Sequence, residues 1–310
     1  MTESTTDPTA LEAFVRSHAR LVVLTGAGIS TASGIPDYRD ADGRWKRAAP
    51  MTWQAFSASE GGRRRYWARS LLGWPRVAAA VPSAAHRALA RVEARGRCRL
   101  LVTQNVDGLH QRAGSRAVVD LHGRLDRVVC LACARIEGRG SFQDRLIDSN
   151  PAWPWLPVVP APGSPSTQAA PDGDADLDDV DFSAFRVPPC LTCGGVMKPD
   201  VVFFGESVPR DRVAQVSKAV AEADGLLVVG SSLTVFSGWR FARDAAALGL
   251  PVVAVNLGTM RADPLLTLKI VATADEALAG LLRSDAATAT PATISHPQSA
   301  PMSLTCGPGQ

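Results

Sequence analysis

Lysine is scarce in this 310-residue chain: Lys46, Lys198, Lys218 and Lys269 stand against 29 arginines. Tyrosine is scarcer, with two residues, and aromatics make up only 6%. Long apolar runs are missing, since stretches such as 226–229 fall far short of the roughly 18 residues of a membrane span. A charge excess is missing too. The 33 basic and 30 acidic residues leave +3, which excludes the lopsided balance of a chain built to lie on nucleic acid. The opening MTESTTDPTA lacks the basic start and apolar stretch of a signal peptide, so a soluble, cytoplasmic protein with no membrane partner is expected. The arginine excess would suit phosphate or carboxylate recognition, but a coding bias spread over solvated faces accounts for it better. Apolar residues, at 46%, are abundant enough for one large or two smaller cored domains, which excludes a wholly disordered or fibrous chain.

Short apolar runs at 20–25 (RLVVLT), 98–103, 117–122, 225–230 and 251–256 have the length of buried strands. Helical patterns separate them, among them 83–96, with a Ser start and a Gly stop, and 208–225. This alternation predicts an α/β fold, a doubly wound parallel sheet. Two stretches interrupt it. Residues 35–75 carry four tryptophans with helical pieces, and 138–187 are rich in Pro and Asp, which predicts surface loop that buries little. Residues 284–310 show little pattern and are expected to be disordered.

Six cysteines are present, and four of them form two C-x-x-C pairs, Cys130/Cys133 and Cys190/Cys193, 56 residues apart. Four thiolates close a tetrahedral zinc site and leave no position for substrate, so a structural zinc is expected. A redox dithiol or a nucleic-acid-reading ribbon are the other readings; the flanks have no basic stripe. Cys98 and Cys306 read as ordinary thiols. GAGIS (26–30) follows the first predicted strand, where a turn presents backbone N–H groups to a phosphate. Thr31 replaces the third glycine of G-x-G-x-x-G, so a plain tight turn fits as well. Gln104, Asn105 and Asp107 follow another strand, where ligands or a helix cap would use them. His122 ends a further strand, as a general base or as an ordinary hydrogen-bonded imidazole. GSSLTV (230–235) and NLG (256–258) end two more, so four strand ends besides the first converge on one crevice.

At this point the chain resembles the sirtuins, NAD-dependent protein deacylases. The resemblance is carried by GAGISTASGIPDYR (26–39), TQNVDGLH (103–110), LHG (121–123), the two C-x-x-C pairs, KPDVVFFGE (198–206), GSSLTV and VNLG, in the family's order over about 11–282. RYWARSLLGWPRV (65–77), LHGRLDRVVC and the APDGD-type insert look like the class II, mitochondrial lipoamidase-like branch. The resemblance implies a Rossmann-like NAD domain over 1–34, 76–124 and 206–283. A small domain over 35–75 and 125–205 would carry one structural zinc on Cys130, Cys133, Cys190 and Cys193.

It also implies the site. NAD would be held by Gly26, Ala27, Gly28, Ile29 and Ser30, by Asp37, Tyr38 and Arg39 on a covering loop, and by Gln104, Asn105, Val106 and Asp107. Gly230, Ser231, Ser232, Asn256, Leu257, Gly258 and Ala274 would complete the binding set. Tyr38 stands where the family more often has Phe. His122 would be the base, with Asn105 as the second catalytic residue. The activity implied is lysine deacylation releasing nicotinamide and O-acyl-ADP-ribose, on acyl-lysine protein substrates. Val202 and Phe203 would line the acyl tunnel. Tyr66 and Arg69, spaced Y-x-x-R, would suit a carboxylate-tipped acyl group. The alternatives are mono-ADP-ribosyl transfer and a non-enzymatic NAD and zinc sensor.

Overall fold

The computed structural model describes residues 3–38, 40, 44–46, 50–151, 153 and 180–282. In chain order its elements are β1 (Glu3–Thr5), α1 (Pro8–Ser17), β2 (Leu21–Thr25), α2 (Trp53–Ala58), α3 (Glu60–Ala79), α4 (Ala84–Ala94), β3 (Cys98–Thr103), α5 (Leu109–Arg112), β4 (Val118–Asp120), β5 (Gly123–Cys130), β6 (Ile136–Gly138), α6 (Arg139–Ser149), β7 (Met197–Val201), α7 (Arg210–Ala221), β8 (Gly225–Val229), α8 (Phe236–Ala247), β9 (Val252–Val255), β10 (Leu268–Ile270) and α9 (Ala274–Leu278).

Seven strands form one parallel sheet in the order β1-β10-β9-β8-β2-β3-β4. Its central strands are uniformly apolar because helices cover both faces. Along β2, Leu21 and Val23 pack with residues of α1, α4 and α9, while Val22 and Leu24 pack with residues of α7 and α8. The sheet is Rossmann-like and doubly wound, as the alternation predicts. Local chemistry starts the helices: Asp7 accepts from Thr9 N ahead of α1, with Pro8 at its first position, and Thr273 with Glu276 forms a capping box on α9.

The remaining strands make a second, antiparallel sheet, β6-β5-β7. An aromatic core lies with it, including Phe56, Tyr66, Trp67, Phe142, Phe185 and Phe203, all buried. Trp67 Nε1 donates to the Met197 carbonyl at 3.2 Å and ties α3 to β7. Pro75 sits inside α3, where its missing N–H frees the carbonyl of Leu71. Gln143 of α6 donates to that carbonyl at 2.8 Å, so the helix defect becomes the docking point of its neighbour. Arg139 opens α6, buried between the rings of Trp67 and Trp74, with its guanidinium on Ser70.

The stretch 138–187 therefore corrects the expectation of a segment that buries little. Its first part is α6, which buries Phe142 and Leu146, and beyond it Trp153 packs on Phe182 and Phe185. Residues 154–179, and 283–310 with Cys306, lie outside the described residues. No helix among the described residues is long and apolar enough to cross a membrane.

Candidate active site

The carboxyl ends of β2, β3, β8 and β9 open on one side of the sheet, where a parallel α/β fold places its ligands. Residues after all four strands line a single cleft of about 430 Å³: Gly26, Ala27, Gly28 and Ser30; Gln104, Asn105, Val106 and Asp107; Gly230, Ser231 and Ser232; Asn256, Leu257 and Gly258. Ala274 joins them from the start of α9, Asp37 and Tyr38 from the loop after β2, and Tyr66, Val202 and Phe203 from the second sheet and its helices. His122 lies on the same wall.

Two residues named from the sequence are not among those that line the cleft, and a third is not described. Ile29 turns into the core, 1% exposed, packed with the cluster on the α1 side of the sheet. Arg69 is half-buried on α3, away from the cleft that Tyr66 lines one turn earlier. Arg39 lies outside the described residues. Sequence reading missed Phe204 and Trp45, which form an edge-to-face trio with Tyr38, and the lining residues Ile35, Met51 and Thr273. The second Phe of VVFFGE was the available signal for Phe204.

The glycines let two loops meet. A Cβ on Gly26 would meet Ser231 Cβ at 2.7 Å, and one on Gly28 would meet Gly230 Cα at 2.9 Å. Gly28 N donates to the Gly230 carbonyl at 2.8 Å. The small residues thus let the loops after β2 and β8 lie backbone on backbone, which builds the cradle floor instead of merely making room for a ligand. Over it, a short 3-10 helix, Ala27–Ile29, begins with Ala27 N, which has no intrahelical acceptor, while Gly28 N and Ile29 N are bonded to the Gly230 and Gly26 carbonyls. That suits a diphosphate, as does the hydroxyl-rich Ser231–Ser232 pair opposite.

Polar side chains are held by each other. Asn105 Nδ2 donates to the Gly26 carbonyl at 3.1 Å and to Ser30 Oγ at 3.0 Å, and Ser30 Oγ donates to Asp107 at 2.7 Å. Asp107 also accepts from Leu109 N, the first residue of α5, at 2.9 Å. Gln104 Nε2 donates to Ser231 Oγ at 2.7 Å. Val202 N donates to the His122 carbonyl at 2.7 Å and fixes that backbone. The imidazole of His122 has Nδ1 2.9 Å from the Gln104 carbonyl; a carbonyl only accepts, so Nδ1 carries the proton and Nε2 is the basic atom. Burial, and secondarily Arg212, push His122 below its ordinary value of 6.5, against the Gln104 bond that raises it. The ring is neutral near pH 7, as a base must be.

Beneath the cleft lies a second pair, His86 and His110, both fully buried with ring centroids 4.7 Å apart. His110 Nε2 meets Thr25 Oγ1 at 2.9 Å, just before the Gly26 turn, and His86 completes the capping box at Ser83. Burial pushes His86 down to about 4 and His110 well below the ordinary value. Unfolded histidines titrate near 6.5, so between that value and about 4 the unfolded chain binds more protons and stability is lost as pH falls. His86 alone accounts for a loss on the order of 3 kcal/mol across this window. Urea titrations at successive pH values should show the midpoint dropping steadily from pH 7 to pH 5; a flat midpoint contradicts the assignment.

The four cysteines gather at one end of the second sheet, with all four Sγ atoms within 4.8 Å of one another. Cys130 and Cys193 are 3.5 Å apart and Cys133 and Cys190 3.8 Å. Zinc–sulfur bonds of about 2.3 Å in a tetrahedron place sulfurs about 3.8 Å apart, so the residues fit a structural zinc. Gly195 belongs to the site as well: a Cβ there would meet Cys130 Sγ at 2.9 Å. Cys98 is buried in the sheet, where burial pushes its thiol up to about 12.

Comparison with known proteins decides the family. A family description reading Sir2 family matches residues 26–237. NAD-dependent protein deacetylase 2 of Bradyrhizobium diazoefficiens is 56% identical over 273 residues, 88% of this chain and 97% of that protein. The chain belongs to the Sir2 family. Another Sir2 relative, the NAD-dependent protein deacetylase of Xanthomonas axonopodis pv. citri, is 56% identical over 89% of this chain and 91% of its own length. Among solved Sir2 structures, a complex of Sir2 with a p53 peptide and NAD+ superposes with a TM-score of 0.68 at 26% identity, covering 89% of this chain and 97% of that one. A Sir2 homolog–NAD complex gives 0.66 at 29% identity over 91% and 94%.

Proposed function

We infer that the cleft carries out NAD-dependent removal of acyl groups from protein lysine, the observation that carries this being a neutral His122 set on the same wall as the Asn105–Ser30–Asp107 network and the Gly26–Ser30 cradle. The protein is an NAD-dependent protein deacetylase of the sirtuin type. Its reaction takes acyl-lysine, NAD and water to lysine, nicotinamide and O-acyl-ADP-ribose. NAD, when bound, supplies the sugar that accepts the acyl group and the glycosidic bond that is given up.

On this reading each part of the wall has its own task. Gly26, Ala27, Gly28 and Ser30 with Ser231 and Ser232 hold the diphosphate, and Asn256 to Gly258 with Ala274 hold the adenosine end. Gln104, Asn105 and Asp107 fix the nicotinamide side, and Asp37 and Tyr38 cover it. His122 Nε2 accepts a proton from a sugar hydroxyl. Asn105 already spends its amide nitrogen on Gly26 and Ser30, which orients the group without a moving part. Cys130, Cys133, Cys190 and Cys193 hold a zinc that shapes β5 and β7. The NAD domain is 1–34, 76–124 and 206–283, the small domain 35–75 and 125–205, and the protein works in the cytoplasm.

The acyl group lies among Tyr66, Val202 and Phe203. Phe203 stacks on Phe56 at 5.0 Å and meets Tyr66 edge-on at 5.2 Å, an apolar wall. That wall, with the YWAR and APDGD sequences, supports membership of the class II, lipoamidase-like branch. Arg69 stands off it, so any carboxylate preference works through Tyr66. An acyl-lysine peptide panel (acetyl, succinyl, methylglutaryl, lipoyl) followed by mass spectrometry tests both points. Acyl loss should occur only with NAD, and Arg69→Ala should slow acidic acyl groups no more than acetyl. A selective loss on the acidic ones restores Arg69 to the site, and acyl loss without NAD overturns the activity.

A further inference from the structure

His122 has a partner that nothing in the sequence announces. Ser237 Oγ lies 2.8 Å from His122 Nε2, 115 residues away in the chain. Because Nδ1 donates its proton to the Gln104 carbonyl, Nε2 has a lone pair, and the serine hydroxyl donates to it. We propose that Ser237 is a positioning residue for His122: its hydroxyl and the Gln104 carbonyl clamp the two ring nitrogens and hold the resting imidazole in the one tautomer and orientation in which Nε2 is the unprotonated nitrogen.

Three features of the fold support this. Ser237 lies in the first turn of α8, a twelve-residue helix, so its position is set by regular backbone rather than by a loop. The next residue, Gly238, is buried, and a Cβ there would strike Gln104 Oε1 at 2.6 Å and Cδ at 2.9 Å. The start of α8 is therefore pressed against the same Gln104 whose carbonyl holds Nδ1, and Ser237-Gly238 reads as one device: a hydroxyl for the ring and a missing side chain for its anchor. Finally, a hydroxyl can reverse its role. It donates to the single lone pair of Nε2 in the resting ring, turns away for Nε2 to take the sugar proton, and then accepts from Nε2–H, so the contact is remade after the proton transfer. The charged group acting on His122 is Arg212 of α7, which does not depend on Ser237.

This inference rests on His122 being the base, and the test separates the two. Ser237→Ala and Ser237→Thr are made in the full-length, zinc-loaded protein, and the five histidines are labelled with 15N. In the NAD-free protein, His122 Nε2 should give the signal of a hydrogen-bonded, unprotonated ring nitrogen. In Ser237→Ala it should move toward a bare nitrogen, with the second tautomer populated. Ser237→Thr, which keeps the hydroxyl, should restore the first signal. In turnover, Ser237→Ala should lower kcat for deacetylation about tenfold, the size of one lost hydrogen bond to the base, with KM for NAD and nicotinamide exchange unchanged. An Ala variant with the wild-type tautomer signal and kcat within twofold overturns the proposal. So does a Thr variant as impaired as Ala in both readouts while its melting temperature matches wild type. If wild type removes no acyl group, the deacylase reading falls, and the tautomer signals alone still decide whether Ser237 clamps the ring.

Discussion

His122→Ala should lower deacetylation by about 10²–10⁴-fold while leaving NAD binding close to wild type. The imidazole's one bond to the cradle's backbone is from Nδ1 to the Gln104 carbonyl, and the Val202 N–H bond uses the His122 main-chain carbonyl, which alanine retains. What the variant loses is one proton acceptor, the Nε2 atom that Ser237 holds in the resting protein. The pH profile carries the same signature. A base that must be neutral fails as pH falls through its folded pKa, and burial places that pKa below 6.5. The acid limb of kcat/KM should therefore lie below pH 6.5, with a plateau through pH 7 and above. Calorimetric NAD titration beside steady-state kinetics separates the two effects. A variant that turns over within tenfold of wild type, or that no longer binds NAD, contradicts the role.

Removal of zinc should be as damaging, by a different route. Cys130 ends β5, and Cys190 and Cys193 lead directly into β7, whose C-terminal end feeds Val202 and Phe203 to the acyl wall. Binding free energies of structural zinc in small domains reach about 10–16 kcal/mol, which exceeds the stability of a typical whole domain. A chelated protein, or Cys133→Ser, should lose hydrogen-exchange protection in β5, β6 and β7 and lose activity. The seven-stranded sheet, whose two apolar faces are separately covered, should keep its protection. Atomic absorption should find one zinc per chain beforehand. Full activity after complete metal removal contradicts a structural zinc.

The parts legible in the sequence are those where burial or ligation forces a local pattern. β2, β3 and β8 are short apolar runs that stop at glycine or at hydrogen-bonding residues because helices cover both faces and the strand ends face a crevice. The cysteines showed themselves by spacing. Where partners come from elsewhere in the chain, the signal fades. β1, Glu3–Thr5, is polar and takes its place from pairing with β10. α6 hides in a window whose composition is dominated by the Pro- and Asp-rich residues beyond it. Ile29 sits in a loop motif, yet its side chain follows the core, because a 3-10 turn alternates faces within three residues. Ser237 looks like any residue opening a helix, and only the folded chain sets it against the base.

The central claim is that the acyl group leaves lysine onto NAD and nowhere else. An acetyl-lysine peptide incubated with the protein and NAD, with all products quantified by mass spectrometry, tests it most directly. Nicotinamide, free-lysine peptide and O-acetyl-ADP-ribose should appear in a 1:1:1 ratio. Free acetate with NAD untouched, or an added ADP-ribose mass on protein with the acetyl group still in place, would contradict it.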